Sequence, residues 1–401
     1  MHTMKTSALA LLALASSLVA CAARRAPVAS FEVVDPSVRA GVDGPALALL
    51  DQYAQDVDGP TRAAALEVLV RASVDPAGGR FGVAATWDPE PWVQRAALRA
   101  LSQRGNEPES VARLAELAAR SDVDPSVRCR AAVLLPTPVS ESVQAATRAG
   151  WERAPLWRGL PCAAADAGWG SEAARDRVLE AVEQGAMALD PDLVRTLAAI
   201  ELAGLEGALV SGLEAADELV RPALTTALLV RGDPAGLAAV RDSLSDADPL
   251  VRMEAVLLLA PIDRPEATQQ LAKAANDTPE GQVASLVLAA REGSGFRVFE
   301  EAFDSDNRDI RRAAVRYGGE HVQREESASS GRSSRKRCEK LLARALVEPD
   351  PSTRAEALRQ TGLLGMTGLR PVVEALLADT DAEDHVRIAA AGALVSLDAR
   401  L

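Results

Sequence analysis

One apolar or small residue near the start of a helix recurs along this chain: Thr61, Val93, Val127, Leu160, Val194, Val220, Val251, Val283, Ile310, Thr353 and Val386. Successive anchors are 32, 34, 33, 34, 26, 31, 32, 27, 43 and 33 residues apart. A period of about 32 leaves room for two short helices and two turns. A unit of that size cannot bury its own apolar face, so a core arises only when neighbours stack, and the chain is constrained to a solenoid. Four residues after each anchor, one turn along the same face, stand Ala65, Ala97, Ala131, Ala164, Ala198, Leu224, Ala255, Val287, Ala314, Ala357 and Ala390. A small residue there lets neighbouring helices approach closely. Composition agrees: 48% of residues are hydrophobic but only 3% aromatic, so the apolar content is small and aliphatic. That suits stacked helices better than strands. The expected fold class is all-α, a right-handed α-solenoid of about eleven helix pairs over residues 44–401.

The residue after the anchor is arginine in most units: Arg62, Arg128, Arg195, Arg221, Arg252, Arg311, Arg354 and Arg387, with Gln94, Pro161 and Ala284 elsewhere. Several anchors are preceded by Asp-Pro, as in Asp124-Pro125, Asp248-Pro249 and Asp350-Pro351. The aspartate caps exposed amides, and proline at the first helical position gives up an N–H that had no partner. The arginine four residues on can return to the carboxylate. Asp-Pro-x-Val-Arg, the small-residue step and a following leucine such as Leu135, Leu259 or Leu394 resemble the second helix of a HEAT repeat, in the short form of the bacterial lyase-type subclass. The resemblance implies a ladder of Asp and Arg along the turns: Asp124, Arg128, Asp217, Arg221, Asp248, Arg252, Asp350 and Arg354. It also implies a concave face lined by second helices. Asp35-Pro36-Ser37-Val38-Arg39 runs into Gly41, Gly44 and Pro45 and is read as a capping remnant. The 43-residue gap holds a low-complexity stretch with a basic end, Arg332 to Arg337, and predicts a flexible insertion near 319–337, a solvated loop.

The N-terminus has one lysine, Lys5, an apolar run from Ala8 to Ala15, and then Leu18-Val19-Ala20-Cys21. That is the layout of a secretory signal, too short to span a bilayer. Its ending resembles the lipobox of bacterial lipoproteins, which implies cleavage after residue 20, a diacylglycerol on Cys21, and a lipidated tether or cap over 21–43. Ala22 in place of aspartate points to the outer membrane, facing the periplasm. Loss of Lys5 moves the formal charge from −13 to −14, so the exported body repels nucleic acid and anionic lipid, and the acyl chains would hold it at the membrane.

Three further cysteines remain, Cys129, Cys162 and Cys338, so at least one thiol is unpaired. Cys129 and Cys162 share a slot in adjacent repeats. Equivalent positions on stacked helices lie about 8–10 Å apart, beyond the ~7 Å reach of a disulfide, so both are expected as buried small residues. No phosphate-binding loop, nucleophile elbow or His-Glu-x-x-His occurs, and His321 and His385 cannot build a multi-histidine metal centre. No cofactor or metal is expected. The tryptophans Trp87, Trp92, Trp151, Trp157 and Trp169 all lie in the least regular part of the array and form the candidate binding patch. The alternative is that their rings fill gaps between irregular repeats. The reading is a non-enzymatic, lipid-anchored envelope scaffold that presents an extended helical surface to a protein partner. An enzyme or enzyme-accessory subunit, as in the lyase-type subclass, and a passive structural lipoprotein are the alternatives.

Overall fold

The computed structural model describes residues 44–54, 56, 58–72, 88, 90–102, 108–120, 123–136, 138–184, 197–198, 200–216, 220–293, 295–327 and 332–398. Among the described residues there are 20 α-helices and no strand. In chain order they are α1 (Pro45–Ala54), α2 (Gly59–Ala72), α3 (Pro91–Ser102), α4 (Pro108–Ala119), α5 (Pro125–Val133), α6 (Glu141–Glu152) and α7 (Leu156–Gly168). Then come α8 (Glu172–Glu183), α9 (Leu205–Ala215), α10 (Arg221–Arg231), α11 (Pro234–Leu244), α12 (Pro249–Leu259), α13 (Pro265–Ala274) and α14 (Pro279–Glu292). The series ends with α15 (Arg297–Phe303), α16 (Arg308–Ser327), α17 (Arg332–Ala345), α18 (Pro351–Leu364), α19 (Arg370–Ala378) and α20 (Asp384–Asp398). None of them is long and apolar enough to cross a membrane. The signal segment 1–20, the tether 21–43 with Cys21 and Asp35 to Arg39, and the anchor Val194 lie outside the described residues.

The helix starts follow from local chemistry. Asp233, Asp248, Thr278 and Asp350 accept hydrogen bonds from the amides of Ala235, Leu250, Gly281 and Thr353, each with proline opening the helix. The anchors then bury: Val93, Val127, Leu160, Thr353 and Val386 are fully inaccessible, as are Ala65, Ala97, Ala131, Ala314, Ala357 and Ala390 one turn on. The second helices of successive pairs pack on one another in two runs. In the first α2 packs on α3, α3 on α5 and α5 on α7, and in the second α12, α14, α16, α18 and α20 follow one another in the same way.

The second run closes on the first. Helix α20 packs on both α1 and α2, so the last repeat takes the first as its next neighbour. Leu50, Tyr53, Ala65 and Leu66 share one hydrophobic core with Ile388, Ala390, Ala391 and Leu394. The Tyr53 hydroxyl donates to Asp384 at 2.6 Å and accepts from Arg387 at 3.0 Å. At Gly392 a Cβ would stand 2.5 Å from Val68 Cγ1, so glycine permits this approach of α20 to α2. The described helices therefore form a ring around a common inner face.

Two further expectations are corrected. Cys129 and Cys162 form a disulfide, with Cα atoms 4.4 Å apart. The interaxial distance of ordinary helices does not apply here, because small residues surround the crossing of α5 and α7: Ala131, Ala132, Ala163 and Ala164 are buried there, and a Cβ on Gly150 would lie 2.7 Å from Cys162 Sγ. Cys338 is the free, buried thiol, at the middle of α17. The insertion near 319–337 is helical for most of its length. Residues 319–327 complete α16, which runs for 20 residues, and 332–337 open α17. The buried face of Tyr317, Gly318, His321 and Val322 extends α16, with the His321 ring against Phe296 and Phe299. The basic end is structural too: Arg335 donates to the carbonyls of Leu364 and Gly365, and Arg337 pairs with Glu300.

Candidate functional site

The arginine that follows the anchor binds two things. Its guanidinium donates backwards to carbonyls of the preceding turn and forwards to an acid at the start of the next repeat. Arg252 donates to the carbonyls of Asp246 and Ala247 and, at 2.6 Å, to Glu280; Arg354 donates to those of Glu348 and Pro349 and, at 2.7 Å, to Glu383. Arg62 grips the buried Asp88 through two bonds of 2.9 and 3.0 Å, and Arg311 reaches Glu348 at 3.2 Å. Burial works to raise the Glu280 carboxyl, but hydrogen bonds from the backbone, Arg252 and Thr278 outweigh it and hold the group below its ordinary value. Asp248 and Asp350 act as helix caps, and the expected return of the arginine to its own cap is replaced by these reaches. The backbone carbonyl of Asp124 receives the amides of Val127 and Arg128, Arg221 donates to the carbonyl of Ala216, and Asp217 lies outside the described residues.

Sequence reasoning missed a second row of arginines at the far ends of the inner helices. Arg291 gives three bonds of 2.8–2.9 Å to the carbonyls of Leu259, Ala260 and Ile262, where α12 ends. Arg231 reaches the carbonyl of Ile200, Arg264 that of Val230, and Arg335 those of Leu364 and Gly365. These are carbonyls at helix ends met by a cation from a neighbouring helix. For Arg231, Arg264 and Arg291 the signal available in the sequence was an arginine some 29–34 residues beyond the carbonyl it meets, whereas Arg335 lies 29 residues before Leu364.

Of the five tryptophans the side chains of Trp151 and Trp169 are described, and the two pack in separate clusters. Trp151 is a core side chain, 8% exposed, and its indole N–H donates at 3.0 Å to the buried Asp166, which Arg148 approaches at 3.5 Å. Trp169 is half-buried and packs in a different cluster from Trp151. Trp87 and the side chains of Trp92 and Trp157 lie outside the described residues. For Trp151 the gap-filling role is what the structure has, because the irregular α6–α7 junction needs a large ring and a polar tip to satisfy Asp166.

The feature that stands out is the lumen of the ring, a cavity of about 2170 Å³ bounded by α10, α12, α14, α16, α18, α20 and Val68 of α2. Among the described residues five large hydrophobic side chains are exposed, and three of them line this one cavity: Leu250 at 45%, Leu257 at 47% and Leu363 at 47%. With Met253, Leu250 and Leu257 make an apolar stripe along α12. Arg308, Arg312 and Arg316, which recur every fourth residue along α16, and Arg359 on α18 line the same cavity, interleaved with Asp309, Asp350 and Glu356. Arg312 has Asp309 at 3.2 Å and Arg316 has Glu320 at 3.2 Å, local pairs on solvent-accessible side chains, and Arg359 has the largely buried Glu356. The two exposed pairs contribute roughly 0.3–0.5 kcal/mol each. On α16 itself Tyr317 is 2% exposed and its hydroxyl has no hydrogen-bond partner; burial raises its pKa. Glu254, on the apolar wall, is likewise raised by burial. Arg221, Asp248, Arg252 and Asp350 rim the same cavity, as does the exposed His385. Among the described residues no three His, Cys, Asp or Glu side chains converge as metal ligands.

Residues 206–291, the stretch from α9 to α14, match the family described as HEAT repeats. No curated protein matches the chain. Among solved structures it is similar to an engineered protein, at 18% identity over 88% of this chain and 99% of that one, TM-score 0.27. It is similar also to human deoxyhypusine hydroxylase in complex with glycerol, at 17% identity over 78% and 93% of the two chains, TM-score 0.29. A third is the karyopherin Kap121p bound to the extreme C-terminus of the protein phosphatase Cdc14p, at 12% identity over 88% and 41%, TM-score 0.31.

Proposed function

We propose that the protein is a non-catalytic binding scaffold that holds a segment of a partner protein in the lumen of its ring, and that an acylated Cys21 tethers it to the periplasmic face of the outer membrane. The observation that carries the binding role is the collection of exposed Leu250, Leu257 and Leu363 around a single cavity. Exposed apolar side chains grouped in this way mark interaction surfaces. The volume, about 2170 Å³, exceeds the roughly 300–1,000 Å³ of small-ligand pockets and suits a polypeptide. A HEAT-repeat array supplies the continuous surface that such binding uses. The lipid anchor rests on the Leu18 to Cys21 motif and the preceding apolar run.

A photo-cross-linking residue placed at Leu257, in living cells, tests this against the same residue at Val347, which is 73% exposed and away from the lumen. The expected result is one reproducible protein adduct from position 257 and none from 347, with Cys21→Ser moving the chain out of the membrane fraction. Equal labelling from both positions, or none from 257, would refute a luminal site. Retention of the Cys21→Ser variant in the membrane would refute the anchor alone.

A further inference from the structure

We propose that the segment held in the lumen is an extended, uncharged stretch of polypeptide, gripped through its backbone carbonyls by Arg312, Arg316 and Arg359 and through leucine-type side chains by α12 and the end of α18. The inference rests on the luminal binding role above and names its chemistry. Among the described residues the cavity lining has six arginines and seven carboxylates, and the exposed arginines of α16 and α18 stand among Asp309, Glu320, Asp350 and Glu356. A wall that balances its own charge favours neither an acidic nor a basic occupant. A charged group brought there either breaks a pair already made or is desolvated unpaired.

The arginines still have donors to offer. A guanidinium has five N–H groups, and elsewhere in this molecule one carboxylate does not exhaust them. Arg252 holds Glu280 together with the carbonyls of Asp246 and Ala247, and Arg354 holds Glu383 with those of Glu348 and Pro349. Arg335 holds Glu326 with the carbonyls of Leu364 and Gly365, and Arg62 and Arg311 follow the same rule. Arg312, Arg316 and Arg359 have the carboxylate and, among the described residues, no carbonyl. All three line the cavity, so the groups that complete them are carbonyls of the occupant. A helix uses its carbonyls internally, and carbonyls free in series belong to an extended backbone such as polyproline II.

Placement gives direction and length. The second run of helices follows the order α12, α14, α16, α18. The apolar contacts, Leu250, Met253 and Leu257 on α12 and Leu363 on α18, lie at the two ends of that order, and Arg359 is one turn before Leu363. A segment that meets all of them runs across the helices, not along one. Three helix-to-helix steps of about 8–10 Å come to no more than about 30 Å, which about nine residues of polyproline II cover at ~3.1 Å each.

The probe is an acetylated and amidated peptide of about nine residues, built of proline and glutamine with leucine at both ends and labelled with an uncharged dye. Binding to the full mature chain is read by anisotropy. The affinity should be unchanged as salt is raised, and peptides with Glu or with Lys in place of glutamine should both bind more weakly. A helical peptide of the same leucine content should also bind more weakly. In the Arg312→Met/Arg316→Met double variant, whose substituted side chains are exposed and whose far-UV spectrum should match the parent, affinity for the uncharged peptide should fall about tenfold, the worth of two hydrogen bonds. Because that peptide has no charge, the carboxylates left behind cannot account for the loss. Tighter binding of the helical or of a charged peptide, or an unchanged affinity in the double variant, would overturn the proposal. So would tighter binding of a monomeric zwitterionic lysophospholipid, which would reassign the lumen to an amphiphile. If position 257 cross-links a protein in cells but the extended peptide does not bind, the chemistry assigned to the occupant fails and the binding role stands. If position 257 captures nothing, the binding role fails first and this inference with it.

Discussion

Cys129 and Cys162 show how much a single position depends on its neighbours. Their shared slot in adjacent repeats was legible, because the anchor spacing fixes it. The distance between them was not, because it depends on Gly150 from a third helix leaving room behind Cys162. A bridge over 33 residues restricts the unfolded chain by about 3–4 kcal/mol on the loop-entropy account. Reductant should therefore lower the urea midpoint of the native protein by the equivalent of that amount, and Cys129→Ala should abolish the difference. An unchanged midpoint would mean that the two thiols are not joined. Cys338 does not confuse the measurement, since burial lifts its thiol to about 12 and leaves no thiolate at neutral pH. Trp151 has the same lesson. Its type suggested a contact residue, but only the structure supplies Asp166, the acceptor that makes an interior position tolerable for the indole N–H.

At the level of elements the period was legible and the connections were not. Anchors, small-residue steps and Asp-Pro starts placed the inner helices, because each is a local requirement of a helix that must begin and must pack closely. The low-complexity stretch after Gly319 misled, because composition says nothing of the buried face that His321 and Val322 add to α16. The second arginine row stayed hidden for a related reason. An arginine in an outer position reads as solvated until the carbonyls it meets are known. Arg291 tests that row. Burial first, offset by nearby acids, lowers its pKa, yet it remains a cation with three carbonyls on one nitrogen and the Thr268 hydroxyl on another. Lysine keeps the charge but loses the planar fork. Arg291→Lys should destabilise the array by about 1–3 kcal/mol in chemical denaturation. Loss of amide protection should be largest at the α12 end, residues 256–262. A variant as stable as the parent would show that these carbonyls are served by water.

For the whole molecule, closure was beyond the reach of the repeat pattern, because a periodic sequence specifies how one unit meets the next and leaves the sum of many small rotations open. The seam depends on side chains that no repeat shares: Tyr53 between Asp384 and Arg387, and Gly392 against Val68. The lumen exists only while that seam holds, so access for a partner segment and opening of the ring are one question. Tyr53 makes it a matter of pH. Burial, then the hydrogen bond and charge of Asp384, raises its hydroxyl from 10.0 to about 12, with Arg387 acting the other way. An opened seam releases the Tyr53 proton near the ordinary value, whereas the closed seam holds it to about 12. The closed form thus binds more protons in that interval, and closure is unaffected below pH 10.0 and weakens as pH rises towards 12. Dyes on cysteines placed at the exposed positions 52 and 380 report it by energy transfer. Transfer should fall between pH 10 and 12 in the parent, ahead of loss of helical signal. Tyr53→Phe removes the titration along with the bonds, so its transfer should be lower at neutral pH and flat across the same interval. Gly392→Ala, which forces Val68 away, should lower transfer while keeping the pH dependence. A parent whose transfer is constant to pH 12 would show that the ring is closed by its apolar core alone.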